Sequence, residues 1–316
     1  MNGLTNAKGE KPLPAQAQND SLLQKRNKLG LLYAWPMGIW FTVFFVAPLV
    51  IITLYSFLKK GLYGGIVHEF SLDAYRQLLN PAYAIVLMRT LWISILSTVI
   101  TIAVALPCGY AMAKSRRQNL LLLLVIVPFW TNSLIRIFAW MSILGSDGLL
   151  NTVLMQLHLT EDSVQFLYNK SAVIIVSVYM YLPYAILPVF TSIDRFDFSL
   201  LEAARDLGAT KVGSMIRILL PNIKSGITTA VIFTFIPIFG AYTVPLLVGG
   251  KDSYMIGNLI VDQVNKTRNW PLAAAFSMII TVLSTAAVLW MLASVRKDAA
   301  LKNGSKTETA AKRGGI

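Results

Sequence analysis

The chain has 316 residues, of which 55% are hydrophobic and only 14% charged, and its net charge is +13. Soluble globular domains carry about 25% charged residues, so the composition argues against a soluble protein. The single cysteine, Cys108, excludes an intrachain disulfide. The two histidines, His68 and His158, are isolated, and no cluster has metal-ligand spacing. The composition therefore predicts an integral membrane protein that holds no metal.

The chain begins with a polar segment, residues 1–28, whose composition is typical of disorder. Six apolar runs follow, and each is long enough to cross a bilayer, which takes about 20 residues. Only Arg136 places a charge inside one of them. The runs are residues 31–57, 90–113, 120–144, 171–193, 226–250 and 270–295. We therefore expect an all-α, six-span protein with a membrane domain at residues 29–298 and a polar, disordered tail at 299–316.

The positive charge follows the expected topology. With the N-terminus inside, the cytoplasmic segments hold 19 of the 28 lysine and arginine residues and the outside loops hold 8. This asymmetry matches the positive-inside rule and predicts a multi-pass protein with both termini in the cytoplasm. Because topology explains the charge, we expect the lipid bilayer as a partner and no nucleic acid. The outside loop at 59–87 contains an amphipathic turn signal followed by Pro81, and the apolar periodicity of the loop at 145–170 predicts a short helix at the interface.

The segment between the fourth and fifth runs, residues 194–225, is polar and yet strongly patterned. Ser199 and Glu202 have capping-box spacing for a first helix, and Gly208 can end it in the left-handed conformation. Thr210 can cap a second helix that stops before Pro221. We call this predicted helix–turn–helix segment the elbow. A plain solvated loop is the alternative interpretation.

The elbow carries the spacing Glu-Ala-Ala, three residues, Gly, nine residues, Ile-x-Leu-Pro. Its members are Glu202, Ala203, Ala204, Gly208, Ile218, Leu220 and Pro221. In this respect the chain resembles the permease subunits of type I ABC importers. The resemblance implies that the elbow is the coupling helix, which docks in a cleft of a cytosolic ATPase and includes Arg205 and Asp206.

The resemblance also implies the remaining partners. The chain lacks a P-loop, since the nearest glycine-lysine pair, Gly250-Lys251, has no upstream glycine or hydroxyl. We therefore expect a non-catalytic subunit that binds no cofactor, with ATP and Mg²⁺ on a partner ATPase dimer. A second, different permease subunit and a periplasmic or surface substrate-binding protein complete the expected assembly, in a bacterial inner membrane.

The stretches PFWTNSLIR, DRFDFSLLEAARDLGA and TRNWPLAAAFS resemble the permeases of polyamine (spermidine/putrescine) importers. An opine, an amino-acid derivative or an anion remains an alternative solute, and a stand-alone channel or secondary carrier is a further alternative. A membrane-spanning enzyme is not supported, because the sequence shows no nucleophile–base pair. The candidate pathway residues are Trp130, Asn132, Arg136, Tyr184, Phe239 and Tyr242.

Arg136 needs a partner or contact with water inside the membrane. The candidates are a backbone carbonyl, Asn132, Asp147 or a neighbouring subunit, and snorkelling toward the interface is the alternative.

Overall fold

The computed structural model describes the backbone of residues 35–313 and the side chains of residues 35–294. The chain divides into two units, one ending at Leu54 and one beginning at Tyr55. The segment at residues 1–28, predicted to be disordered, lies outside the described residues. The helices, numbered along the chain, are α1 Trp35–Ser56, α2 Asp73–Leu78, α3 Pro81–Lys114, α4 Gln118–Ile126, α5 Ser133–Leu144, α6 Leu149–Gln156, α7 Lys170–Asp194, α8 Ser199–Asp206, α9 Lys211–Asn222, α10 Lys224–Phe239, α11 Thr243–Val248, α12 Ile256–Asn265 and α13 Trp270–Arg313.

Among the described residues, five helical stretches are long and apolar enough to cross a bilayer. They are α1, α3, α5 with α6 (Ser133–Gln156), α7 and the apolar part of α13 (Trp270–Ser294). A sixth span forms when α9 and α10, which meet at an angle of 74°, are taken together. The prediction of an all-α protein with several spans is confirmed, with five spans or six when the bent pair is counted as one.

Helix α1 is an apolar helix of 22 residues. Its middle contains a π-helical turn at Thr42–Val46, and the hydroxyl of Thr42 donates a hydrogen bond to the Gly38 carbonyl at 2.8 Å. The rings of Trp40 and Phe44 lie 4.2 Å apart between centroids. Because residues four apart lie on one helix face, such aromatic pairs support the helix locally.

The third apolar run, predicted as one span over residues 120–144, is two helices. Helix α4 gives way to a 3₁₀ turn at Val127–Trp130, two nonhelical residues follow, and α5 then begins. Pro128 lacks the amide hydrogen that a continuous helix needs there. The side-chain oxygen of Asn132 accepts a hydrogen bond from the Leu134 amide at 2.8 Å and so caps a new helix. The prediction of a single continuous helix here was wrong because these two local signals interrupt it.

The fifth run, predicted as one span over residues 226–250, is also divided. Three nonhelical residues, 240–242, separate α10 from α11. Pro245 in the first turn of α11 has no amide hydrogen, which suits a helix start. The carbonyl of Tyr242 accepts the Leu246 amide at 3.0 Å and also the side-chain amide of Asn258 at 3.2 Å. Buried backbone carbonyls need such partners, so α12 stabilises the break.

The loop at residues 59–87 contains a β-hairpin, which the sequence analysis did not predict. Strands β1 Leu58–Lys60 and β2 Ile66–Phe70 pair antiparallel. In the connection, Gly64 has φ of +93°, a value that favours glycine. The amide of Gly65 donates a hydrogen bond to the carbonyl of Arg268 at 2.9 Å, which ties the hairpin to the start of α13. The short helix expected in the loop at 145–170 is present as α6, and the loop at 59–87 also contains the helix α2.

The closest helix packing in the second unit is between α3 and α7. In lipid, helices associate through close packing of small residues rather than through the hydrophobic effect. Helix α3 presents such residues, and all are fully buried: Ser94, Ser97, Thr101 and Ala105. At Gly109 the two backbones approach so closely that a Cβ would lie 2.9 Å from Val189 Cγ1 and 3.2 Å from the Phe190 amide nitrogen.

Helix α7 takes part in two buried clusters, one at each end of the bundle. Near the elbow, Phe190 and Ile193 pack with Met112 of α3 and with three buried residues of the elbow itself. Near the opposite end, Val173 and Val176 pack in the cluster that also contains residues of α5 and α11. Helix α7 therefore connects the elbow to the two broken spans.

The predicted polar tail at 299–316 differs from the structure. The backbone of α13 continues as a helix to Arg313. The tail contains four alanines and three lysines, which have high helix propensity, and the disorder prediction gave this too little weight.

We expect Gly109→Leu to lower the thermal unfolding midpoint of the detergent-solubilised protein by several degrees. The added side chain overpacks the α3–α7 contact, which costs about 1–3 kcal/mol. Gly38→Leu is the matched control, because nothing lies within 4 Å of a Cβ at that position. Equal midpoints for Gly109→Leu and the native protein would contradict the close-packing assignment.

Candidate coupling elbow and translocation pathway

The first helix of the elbow, α8, begins differently from the prediction. Ser199 is the first helical residue rather than the cap, and the side-chain oxygen of Asp197 accepts a hydrogen bond from its amide at 3.0 Å. Hydrogen bonds from the Ser199 side chain and backbone lower the pKa of Asp197 below its usual value. The predicted capping box of Ser199 and Glu202 was wrong because an acceptor two residues upstream takes its place.

The turn of the elbow matches the prediction. Gly208 has φ of +88°, in the left-handed region, and its amide donates to the Arg205 carbonyl at 2.8 Å. The hydroxyl of Thr210 accepts a hydrogen bond from the Gly213 amide at 3.0 Å and caps α9. Most residues with a Cβ are strained in the left-handed region by roughly 1–2 kcal/mol, so the sharp turn favours glycine.

Helix α9 does not stop before Pro221 as predicted. It contains a π-helical turn at Met215–Leu219, passes through Pro221 and ends at Asn222. A π-helical turn interrupts the regular hydrogen-bond ladder, which is where a helix can accommodate a proline.

Three buried leucine and isoleucine side chains fasten the elbow to the membrane helices. Leu201, Leu219 and Ile223 are 2%, 2% and 1% exposed and lie in the cluster formed by α3 and α7. The tip of the elbow faces outward instead, because Leu207 is 89% exposed and Val212 is 65% exposed. A rigid base and an exposed, partly apolar tip are the properties of a docking surface.

The predicted coupling residues fall into two groups by exposure. Glu202, Ala203, Asp206, Gly208 and Pro221 are exposed, whereas Ala204, Arg205, Ile218 and Leu220 are half-buried. Sequence reasoning missed the anchors Leu201, Leu219 and Ile223, although their apolar side chains within a polar segment were an available signal.

A polar cavity of about 640 Å³ lies beside the elbow, where α7 ends and α10 begins. Helix α7 contributes Thr191 and Ser192, and Ser225 and Thr229 come from α10. At Gly226 a Cβ would lie 2.4 Å from Ser192 Cβ, so these two helices touch directly beneath the cavity. Hydroxyl groups here give the elbow end of the bundle a surface that can hydrogen-bond water or a polar solute.

The candidate pathway residues of the third span lie around its break. Trp130 is 80% exposed, and Asn132 caps α5. The guanidinium of Arg136 lies over the ring of Phe129, 4.4 Å from the ring centroid. The Phe129 ring in turn lies 6.1 Å from that of Tyr179 on α7. Phe129 was not a predicted site residue.

The other candidates lie elsewhere. Tyr184 on α7 is 51% exposed, with its ring 6.1 Å from that of Tyr181. Phe239 is only 2% exposed, so a solute cannot touch its side chain in this structure. Tyr242 is half-buried at the break between α10 and α11. Among the described side chains, no ring contact or hydrogen bond joins these three residues to Arg136.

Comparison with known proteins places these features in a family. Residues 101–297, more than half of the chain, match the family described as "Binding-protein-dependent transport system inner membrane component". The chain belongs to this family. It is a multi-pass membrane subunit of an ABC importer and is not itself catalytic, which confirms the expectation from the elbow motif.

Curated relatives align over most of the permease. The "Spermidine/putrescine transport system permease protein PotB" of Escherichia coli K12 is 37% identical over 246 residues, covering 77% of this chain and 90% of that protein. PotB of Haemophilus influenzae is 36% identical, with 77% and 86% covered. The "Inner membrane ABC transporter permease protein YdcU" of E. coli is 30% identical over 275 residues, with 81% and 86% covered.

A solved structure confirms the type I importer fold of the permease. A bacterial ABC transporter involved in the import of the acidic polysaccharide alginate superposes with a TM-score of 0.70 at 20% identity, covering 88% of this chain and 99% of that chain. The fold therefore extends over nearly the whole permease.

We expect Gly208→Val to loosen the elbow and Gly208→Asn to preserve it. Nothing lies within 4 Å of a Cβ at this position, so backbone strain alone separates the two variants. Asparagine tolerates the left-handed region, whereas a β-branched residue does not. Hydrogen exchange of the amides at residues 199–214 should be about tenfold faster in Gly208→Val. Equal exchange in both variants would contradict the assignment.

Proposed function

We propose that this permease forms the membrane passage of an ATP-driven importer for polyamines such as spermidine and putrescine. The observation that carries the solute class is the 37% identity to PotB over 246 residues, in an alignment that covers 90% of that protein. Residues 29–298 are the permease domain, with the coupling loop at 194–225 and a C-terminal tail at 299–316. Both termini are in the cytoplasm, as the distribution of basic residues supports.

The elbow is the surface on which the ATPase docks. Glu202 and Asp206 are exposed and four residues apart, so both carboxylates lie on one face of α8 and can accept charge-assisted hydrogen bonds. Leu207 and Val212 add an apolar tip that a cleft can bury. Ala203, also exposed, allows the close approach of a partner backbone.

The coupling step follows from how the elbow is attached. ATP and Mg²⁺ bind to the partner ATPase dimer, and the closure of that dimer displaces the elbow. Because Leu201 and Leu219 are buried against α7 and α3, a displacement of α8 and α9 moves those spans rather than bending a loose loop. Well-packed interiors transmit such displacements with little compression. The spans then rock, and the passage opens on the outer face, where a substrate-binding protein delivers the solute.

A second, non-identical permease subunit completes the passage. The described part of this chain has no Asp or Glu within its apolar runs, and its one intramembrane charge is positive. A cationic solute needs carboxylates, carbonyls or aromatic faces along its route. This permease supplies carbonyls at its two helix breaks and rings such as Tyr184, and the second subunit supplies the carboxylates.

We expect Glu202→Lys and Gly208→Pro each to abolish transport and to weaken ATPase association about tenfold or more. Glu202→Lys reverses a charge at the docking surface. Proline at position 208 cannot adopt φ of +88°, and it lacks the amide hydrogen that bonds the Arg205 carbonyl. Co-elution of the ATPase during size-exclusion chromatography is the measurement. Glu161→Lys, a charge reversal at an exposed loop residue, is the matched control. Membrane insertion should be unchanged in all three variants, and normal transport by Glu202→Lys and Gly208→Pro would refute the docking role.

The solute class is tested by uptake into vesicles that contain the purified transporter. Labelled spermidine or putrescine should accumulate only with ATP inside and the binding protein outside, and the Gly208→Pro complex should accumulate neither. An anionic solute is the second candidate, because the Arg136 guanidinium favours a negative charge nearby. Import of a carboxylate compound with no accumulation of either polyamine would overturn the polyamine assignment.

A further inference from the structure

We propose that Arg136 forms an ion pair with an Asp or Glu on a membrane helix of the second, non-identical permease subunit. This inference rests on the proposed function in one respect, namely that the importer contains such a subunit. The pair would lie at the interface between the two permeases, on the face of this chain formed by the 3₁₀ turn before α5 and the first turns of α5.

The Arg136 side chain carries a charge that nothing in the described chain neutralises. Its Nε and Nη1 atoms are buried, and neither has a hydrogen-bond partner among the described residues. Arginine stays protonated in proteins, so the group cannot lose its charge to escape this cost. The ring of Phe129 lies beneath the guanidinium, 4.4 Å from its central carbon, and attracts the positive charge. The ring does not accept the hydrogen bonds that the N–H groups at the edge of the guanidinium can donate.

The guanidinium also lies too deep for lipid headgroups. The ring beneath it contacts Tyr179, which follows Lys170 by nine residues and precedes Asp194 by fifteen on the 25-residue helix α7. At 1.5 Å per residue, this level is about 14 Å from one end of the span and about 22 Å from the other. The side chain leans over Phe129, which precedes α5 in the chain, and so points away from the far end of α5. Snorkelling along α5 toward the nearer interface would require the opposite direction.

The positive charge of Arg136 decides between three possible partners: the solute, a second copy of this chain and a different subunit. A polyamine is a cation and repels a guanidinium. A second copy of this chain brings another Arg136 and no intramembrane carboxylate, since none of the six apolar runs contains Asp or Glu. An acidic residue of a different subunit is complementary in charge, and its carboxylate can accept a charge-assisted hydrogen bond from the exposed part of this half-buried side chain. The neighbouring apolar side chains are available to a protein partner, with Trp130 80% and Ile135 65% exposed.

The test captures the assembled transporter through a tag on this permease and measures how much second permease is retained. Arg136→Gln should retain about tenfold less, because it leaves a buried carboxylate without its partner. Arg136→Lys should retain most of the native amount, since it keeps the charge. Arg76→Gln, which removes an arginine 80% exposed at its side chain, is the matched control and should retain the native amount.

Rescue distinguishes a specific pair from general instability. Each intramembrane Asp or Glu of the captured subunit is changed to Leu, and each change is combined with Arg136→Met. One combination should restore native retention, because replacing both members of a buried pair by apolar residues removes the stranded charge. If Arg136→Gln fails to fold alone, this rescue still decides the question.

Several results would overturn the proposal. They are native retention by Arg136→Gln, capture of only a second copy of this chain, a captured subunit without an intramembrane carboxylate, and the absence of any rescuing combination. Native retention with loss of uptake would assign Arg136 to the solute instead. The capture measurement needs no transport, so a failure of polyamine uptake in the native complex would refute the solute class and leave this inference standing.

Discussion

The close approach of α3 and α7 is the contact on which the rest of the second unit depends. Lipid offers no hydrophobic driving force for helix association, so the two helices must gain stability from contact area. Small residues along α3, ending at Gly109, allow that contact. The packed pair presents one apolar surface near the elbow, where Leu201 and Leu219 bind, and another near the opposite end, where α5 and α11 pack. The elbow and the broken spans are therefore fastened to the same rigid pair.

The elbow combines two requirements that conflict in most loops. It must be polar enough to protrude from the membrane and rigid enough to transmit a displacement. The chain meets the first with exposed charges such as Glu202, and the second with local backbone chemistry at Gly208 and Thr210. Buried anchors at its base join it to α7 without a flexible linker. This arrangement suits the coupling role that we propose for the elbow.

The breaks in the third and fifth spans place polar groups inside the apolar bundle. Irregular backbone persists within a membrane only where protein or water satisfies it. Asn132 and Asn258 do so here, the first by capping α5 and the second by bonding the Tyr242 carbonyl. Arg136 differs from both because its Nε and Nη1 atoms have no hydrogen-bond partner among the described residues. We propose that a second permease subunit supplies the countercharge.

Much of this architecture could be read from the sequence, because its signals are local. Runs of about 20 apolar residues, the Glu-Ala-Ala motif, Gly208 and Thr210 are each contained in one continuous stretch of sequence, and they indicated the membrane class, the elbow and its turn. What required the tertiary structure involves residues distant in sequence or competition between neighbours. The anchoring of Leu201 by α7, the burial of Phe239, the bond from Asn258 to Tyr242, and the position of Arg136 over Phe129 belong to this group. The cap of α8 by Asp197 rather than Ser199 is a local competition that spacing alone does not decide. The sequence shows which contacts its residues could make. The packing of the helices against one another determines which of those contacts form.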